Sequence, residues 1–155
     1  MSDSLVLNLA TQAPYHYRNY SFTGFVAHGE RQFSCREDGI YELVGDADND
    51  EPIEAHITTG MMDFGAPELK TVMAAYVGYS ASDVTVLTAN VDQASGDMEA
   101  SYRLEAAANA PVMKRIKLGK GIKSRYWQFS IANTNGADFE LETLEALPVV
   151  LQRRT

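Results

Sequence analysis

The sequence predicts an all-β fold, a β-sandwich or jelly-roll-like domain of about ten short strands with an N-terminal hairpin layer. Three observations carry that reading. Apolar and polar residues alternate in short runs, and few segments repeat at helical spacing. β-Branched and aromatic residues fill those runs. Glycine, proline, Asp-Gly and Asn-Gly separate them. The 155 residues suit a single domain, with residues 1–50 as a hairpin region and 51–155 as the sandwich.

In chain order, Leu5–Leu9 is the first expected strand, followed by Tyr15–Phe22, with a phase shift before Tyr20 and Phe22. Phe25–Ala27 and Arg31–Arg36 flank a turn at His28–Arg31. Asp38-Gly39 signals a hairpin by supplying positive φ at little cost, and Ile40–Val44 returns from it. Gly45–Pro52 is a polar loop, and Ile53–Thr59 alternates Ile53, Ala55 and Ile57 against polar residues. Thr71–Tyr79 is ambiguous, since its methionine and alanines permit a helix, but its valines and tyrosines favour a strand. Val84–Val91 and Met98–Leu104 surround a turn at Gln93–Asp97. Leu104–Ala110 reads as a helical turn or a loose loop. Val112–Leu118 and Ile122–Asn133 are strands joined through Gly119–Gly121, with Trp127, Phe129 and Ile131 on one face. Asn135-Gly136 is a tight turn. After it Phe139 and Leu141 alternate with acids, until Leu144 breaks the phase and calls for a bulge. Pro148 suits an edge strand or a strand start, and Val149–Leu151 closes the pattern. Trp127, Phe129, Phe139 and Leu141 are expected in one core.

Composition narrows the function. Hydrophobic residues make up 45% and charged residues 22%, a globular balance. No apolar run is long enough to span a bilayer, so no membrane insertion is expected. The start MSDSLVLNLATQ lacks the basic and apolar pattern of a signal peptide, which leads us to expect a cytoplasmic product. A net charge of −8 argues against nucleic-acid binding. The charge is unevenly spread: ten of the 21 acids lie between Glu37 and Glu68, and six of the 13 bases between Lys114 and Arg125.

No pattern marks an active site, and the expectation is of no enzyme, no cofactor and no metal. Asp46, Asp48 and Asp50 have the spacing of a calcium loop, but Glu51 and Ile57 stand where that loop needs glycine and glutamate. LGKGIKS (118–124) lacks the spacer of a phosphate loop and lies between strands. His16, His28 and His56 occur in unrelated settings, and no serine sits in a nucleophile elbow. The single cysteine, Cys35, reads as a strand residue. The remaining candidate is a subunit interface. Its acidic side would be Asp46, Asp48 and Asp50, and its basic side Lys114, Arg115, Lys117, Lys120 and Lys123 of a neighbouring copy.

Three stretches are similar to a known family. They are YRNYSFTGFVAHGERQFSCREDGIYELVGDAD, ITTGMMDFGAPELKTVMAAYVGY and KLGKGIKSRYWQFSIANTNGADFELETLEALPVVLQRR. In this order, from about Tyr15 to Arg154, they resemble tail or baseplate structural proteins of tailed bacteriophages and prophages. The resemblance is densest at Arg125–Phe129 and Gly136–Leu141. It implies a non-enzymatic virion component made in the host cytoplasm, with other tail proteins as partners. It also implies a homo-oligomer, a trimer or hexamer. The final third resembles the closing strands of jelly-roll carbohydrate-binding modules as well, so the alternative is a sugar-binding module for host-surface recognition.

Overall fold

The computed structural model describes residues 3–45, 47, 48, 50–91, 98–119 and 121–151. Among them the fold is all-β, with fourteen strands, all paired antiparallel, and no helix. The chain forms two compact units, Met1–Gly45 and Asp46–Thr155.

The first unit holds a hairpin of β1 (Asp3–Leu7) and β2 (Pro14–Arg18), and a meander of β3 (Gly24–His28), β4 (Arg31–Arg36) and β5 (Gly39–Glu42). Strand β1 ends at Leu7 rather than Leu9 because Asn8 takes over the chain. The Asn8 carboxamide oxygen accepts from the Ala10 and Thr11 amides at 2.9 and 3.2 Å, closing a side-chain turn. Strand β2 ends at Arg18, because Asn19 adopts a left-handed φ of 61°. The expected phase shift before Tyr20 lies there. Gly29, at φ 65°, opens the two-residue β3–β4 turn, as that turn geometry requires. The next hairpin differs from expectation. Its turn residues are Glu37 and Asp38, Gly39 already pairs with Arg36, and none of the three has positive φ.

In the second unit, β6 (Ala47–Asp48) and β7 (Glu51–Pro52) form a two-residue ladder inside the polar loop. Two larger sheets follow. One has the order β11-β10-β13-β8, from β8 (His56–Thr58), β10 (Thr85–Val91), β11 (Met98–Leu104) and β13 (Trp127–Asn133). The other has the order β12-β9-β14, from β9 (Lys70–Ala81), β12 (Ala107–Lys117) and β14 (Phe139–Val150). Their inner faces share one hydrophobic cluster, giving the sandwich expected from the alternation.

On the four-stranded sheet, Leu87, Ala89 and Val91 pair across from Ile131, Phe129 and Trp127. Small Ala89 opposite Phe129 leaves room for the Trp127–Phe129 ring pair, at 6.3 Å and 22°. Phe139 and Leu141 pack on the same cluster, so the four expected core residues do meet. The ambiguous run 71–79 is the central strand β9. Its small residues serve close packing: a Cβ at Gly78 would lie 3.3 Å from Met113 Cε and 3.4 Å from Thr143 Cβ.

The bulge anticipated near Leu144 falls at Glu142. Leu141 pairs with Tyr79 and Thr143 with Gly78, so β14 carries one extra residue and both Leu141 and Leu144 face the core. Pro148 lies on an edge strand, where its missing N–H breaks no ladder. Three expectations need correction. Leu104–Ala110 is neither helix nor loose loop, since β12 starts at Ala107, with a register shift before Val112. Ile53–Thr59 shrinks to His56–Thr58, because the Asn133 carboxamide captures the Ala55 amide and the Ile53 carbonyl at 2.8 and 2.9 Å. Ile122–Asn133 shortens to Trp127–Asn133, and its first residues instead bridge to Lys70 through Ser124. The expected turn at Gln93–Asp97 lies outside the described residues.

Asn135 and Gly136 both have positive φ, 54° and 72°, in a turn closed by Ala137 N donating to Thr134 O at 3.1 Å. This turn joins two sheets rather than two paired strands. A Cβ at Gly136 would meet Pro52 Cβ at 3.0 Å and Pro52 Cα at 3.2 Å. Gly136→Ala is therefore expected to lower stability by about 2 kcal/mol, from left-handed strain and backbone collision together. Urea unfolding of wild type and variant measures it, and equal midpoints would show that the turn relaxes freely.

Candidate interaction surfaces

The sequence nominated two charged segments, and the described residues place parts of both. Asp48 ends β6, and Asp50 sits in the following turn at φ 68°. Lys114, Arg115 and Lys117 lie on β12, at one edge of the three-stranded sheet. On this strand Ile116 is buried beneath the sheet, whereas Arg115 and Lys117 point outward and are exposed. Lys114 is half-buried, and Lys123 is exposed in the loop that follows. Asp46 and Lys120 lie outside the described residues. The Arg115 guanidinium lies 5.9 Å from the Tyr76 ring on the adjacent strand. None of Lys114, Arg115, Lys117 and Lys123 is ion-paired with a described carboxylate.

Sequence reasoning passed over the character of the first unit. Of its described residues only Ser34 is buried. Leu5, Leu7, Leu9, Phe25, Val26, Ile40 and Val44 are all more than half exposed, Ile40 at 79%. Beyond its strand ladders, the unit is held by aromatic packing, edge-on for Tyr17–Tyr20 at 5.2 Å and Tyr20–Phe22 at 4.8 Å and tilted for Phe22–Tyr41 at 5.8 Å. The Arg36 guanidinium lies 4.6 Å from the Tyr41 ring and 5.4 Å from that of Phe22. Partial burial, and then Tyr17, push the Tyr20 phenol up. At the rim, Arg31 donates to both Glu42 carboxylate oxygens, and these bonds hold the Glu42 carboxyl below its usual range. The Tyr41 hydroxyl does the same for Asp38 at 2.9 Å.

Among the described ion pairs one joins a histidine to a carboxylate: His16 Nε2 lies 3.7 Å from Asp3 Oδ2, and both side chains are exposed. A shallow groove of about 450 Å³ is lined by Asp83, Val84, Val86, Arg103, Thr134 and Asn135. Two of its polar side chains are already engaged: Arg103 lies 3.3 Å from Glu105, and Thr134 donates to the Val84 carbonyl at 2.6 Å. No group of three or more His, Cys, Asp or Glu suited to a metal occurs among the described residues. Cys35 Sγ lies 3.7 Å from the Gly24 carbonyl and from Thr23 Oγ1, an ordinary strand environment. Trp127 is fully buried, which removes it as a sugar platform. No helix among the described residues is long and apolar enough to cross a membrane. Comparison with protein-family models, curated proteins and solved structures finds no match.

Proposed function

We propose that this chain is a non-enzymatic structural protein of a bacteriophage tail, a tail-tip or baseplate component that works through protein–protein contacts. The observation that carries the reading is the first unit. Its described residues leave seven large aliphatic or aromatic side chains more than half exposed and bury only Ser34, as expected of a part completed by a partner. Fully covering a side chain of that size is worth about 1.5–3 kcal/mol, so a partner surface gains much by docking there. The unpaired bases on β12 add a second contact element of opposite character to the acidic segment at Asp48 and Asp50. The resemblance over Tyr15–Arg154 supplies the kind of assembly: other tail proteins and further copies of this chain, in three-fold or six-fold symmetry. The virion tail is the proposed location. The carbohydrate-binding alternative has less to rest on in the second unit, where Tyr126, at 46%, is the one aromatic among the exposed large hydrophobics of the described residues.

Mass spectrometry of gradient-purified particles, prepared after prophage induction, tests the proposal. The tryptic peptide from Tyr126 to Arg153 is the marker. We expect it to co-purify with capsid protein at a few copies per particle. Its absence from particles while the chain is expressed in the cell would sink the tail reading.

A further inference from the structure

We infer that copies of this chain join edge to edge, with β12 of one copy against β14 of the next. The inference deepens the assembly reading and rests on it for the expectation that copies meet. The observation behind it is the charge on the two edges of the three-stranded sheet. Within β12, the segment Val112–Lys117 carries Lys114, Arg115 and Lys117 and no acid. Strand β14 carries Glu140, Glu142 and Glu145 and no base.

These charges are not satisfied within the chain. Glu140, Glu142 and Glu145 are exposed, and no described ion pair includes them or the three bases. Register explains why. Arg115 and Glu145 both pair with Tyr76, from opposite sides, so they stand two strand spacings apart, about 10 Å. A neighbour's β12 laid along β14 would halve that distance and bring arginine and glutamate side by side on the outer face. Apolar side chains lie beside the charges on both edges: Val112 and Met113 on β12, Leu147 and Val149 on β14, each more than 40% exposed.

Charged edges ordinarily prevent sheets from joining, because like charges repel. Here the edges carry opposite signs, so repulsion blocks β12 against β12 and β14 against β14, and favours only the mixed pair. Both strands run antiparallel to β9 and hence parallel to each other. A neighbour related by translation, or by rotation about an axis along the strands, would pair them in parallel. Such a contact is heterologous, and it closes into a ring if the rotation closes. Pro111 and Pro148 cannot donate to a new ladder, and both lie outside Val112–Lys117 and Leu141–Ala146, the stretches that flank the same span of β9 and would pair, with Glu142 and Glu145 inside and Glu140 next to the second.

The test uses the full chain in sedimentation velocity at low salt. One variant carries Lys114→Glu, Arg115→Glu and Lys117→Glu; the other carries Glu140→Lys, Glu142→Lys and Glu145→Lys. We expect wild type to self-associate and each variant alone to do so at least about tenfold more weakly. An equimolar mixture of the two should recover association, because each variant's edges complement the other's. A control with Asp48→Lys and Asp50→Lys should behave as wild type. A wild type that stays monomeric at all soluble concentrations would overturn the inference, and so would variants that associate normally. Loss of association in the Asp48/Asp50 control with none in the two edge variants would overturn it in favour of the loop. None of these results decides whether the chain is found in particles, so failure here is distinguishable from failure of the tail reading.

Discussion

Trp127→Ala should cost the second unit roughly 3–5 kcal/mol, a melting-temperature drop on the order of 10–20 °C for a unit of this size. Trp127 is fully buried at the start of β13, stacked on Phe129 and paired with Val91. Its backbone also exchanges hydrogen bonds with Met62, at 3.0 and 2.8 Å, so that strand position is fixed independently of the ring. Truncation therefore leaves a cavity that the backbone is poorly placed to collapse into. The indole N–H meets no protein acceptor among the described residues, and an unmatched buried donor costs about 1–3 kcal/mol. Trp127→Phe removes that donor along with part of the ring, so we expect it to lose well under half of what the alanine variant loses. Thermal unfolding followed by far-ultraviolet circular dichroism measures both, since either variant abolishes tryptophan fluorescence. An unchanged melting temperature in Trp127→Ala would remove this residue from the core.

The core was legible because burial imposes a period of two on strands packed on one face. Trp127, Phe129 and Ile131 could be assigned to one face without knowing which strands pair. The broken phase at Leu144 was legible for the same reason, as a bulge is the only way to keep Leu141 and Leu144 on one face. Side-chain capture of the backbone was not legible. Asn8 ends β1 and Asn133 replaces ladder bonds beside β8, and neither alters the polarity pattern that a sequence displays. Central strand β9, read as a strand, was ambiguous because its small residues answer to packing from both flanking strands rather than to strand propensity. The candidate interface was half legible. Clustering of the bases along 114–125 is plain in the sequence, but their place on an edge facing away from the glutamates of β14 depends on sheet order. The exposed first unit was hidden for a related reason. Its strands alternate like core strands, and only the fold reveals that few residues cover them.

Lys70→Met is the sharper test of how the second unit is tied together. Lysine is rarely buried, yet Lys70 is 0% exposed and opens the central strand β9. Its Nζ donates to the carbonyls of Ala66 and Arg125, each at 2.7 Å. Its backbone exchanges bonds with Ser124, at 2.9 and 3.0 Å. One residue thus fastens the turn that ends at Ala66, the segment leading into β13, and the start of β9. Methionine keeps most of the side-chain volume and loses both donors. Two partly buried carbonyls left unsatisfied, at about 1–2 kcal/mol each, give an expected loss of about 2–4 kcal/mol. Lys70→Ala adds the cavity of the missing methylenes and should lose more, on the order of 4–6 kcal/mol. That is close to the entire stability of many small domains. The methionine variant is therefore the one to measure by urea unfolding, and the gap between the two separates hydrogen bonding from packing. If Lys70→Met unfolds at the wild-type midpoint, the two carbonyls find other donors and the three segments are held by the strand ladder alone.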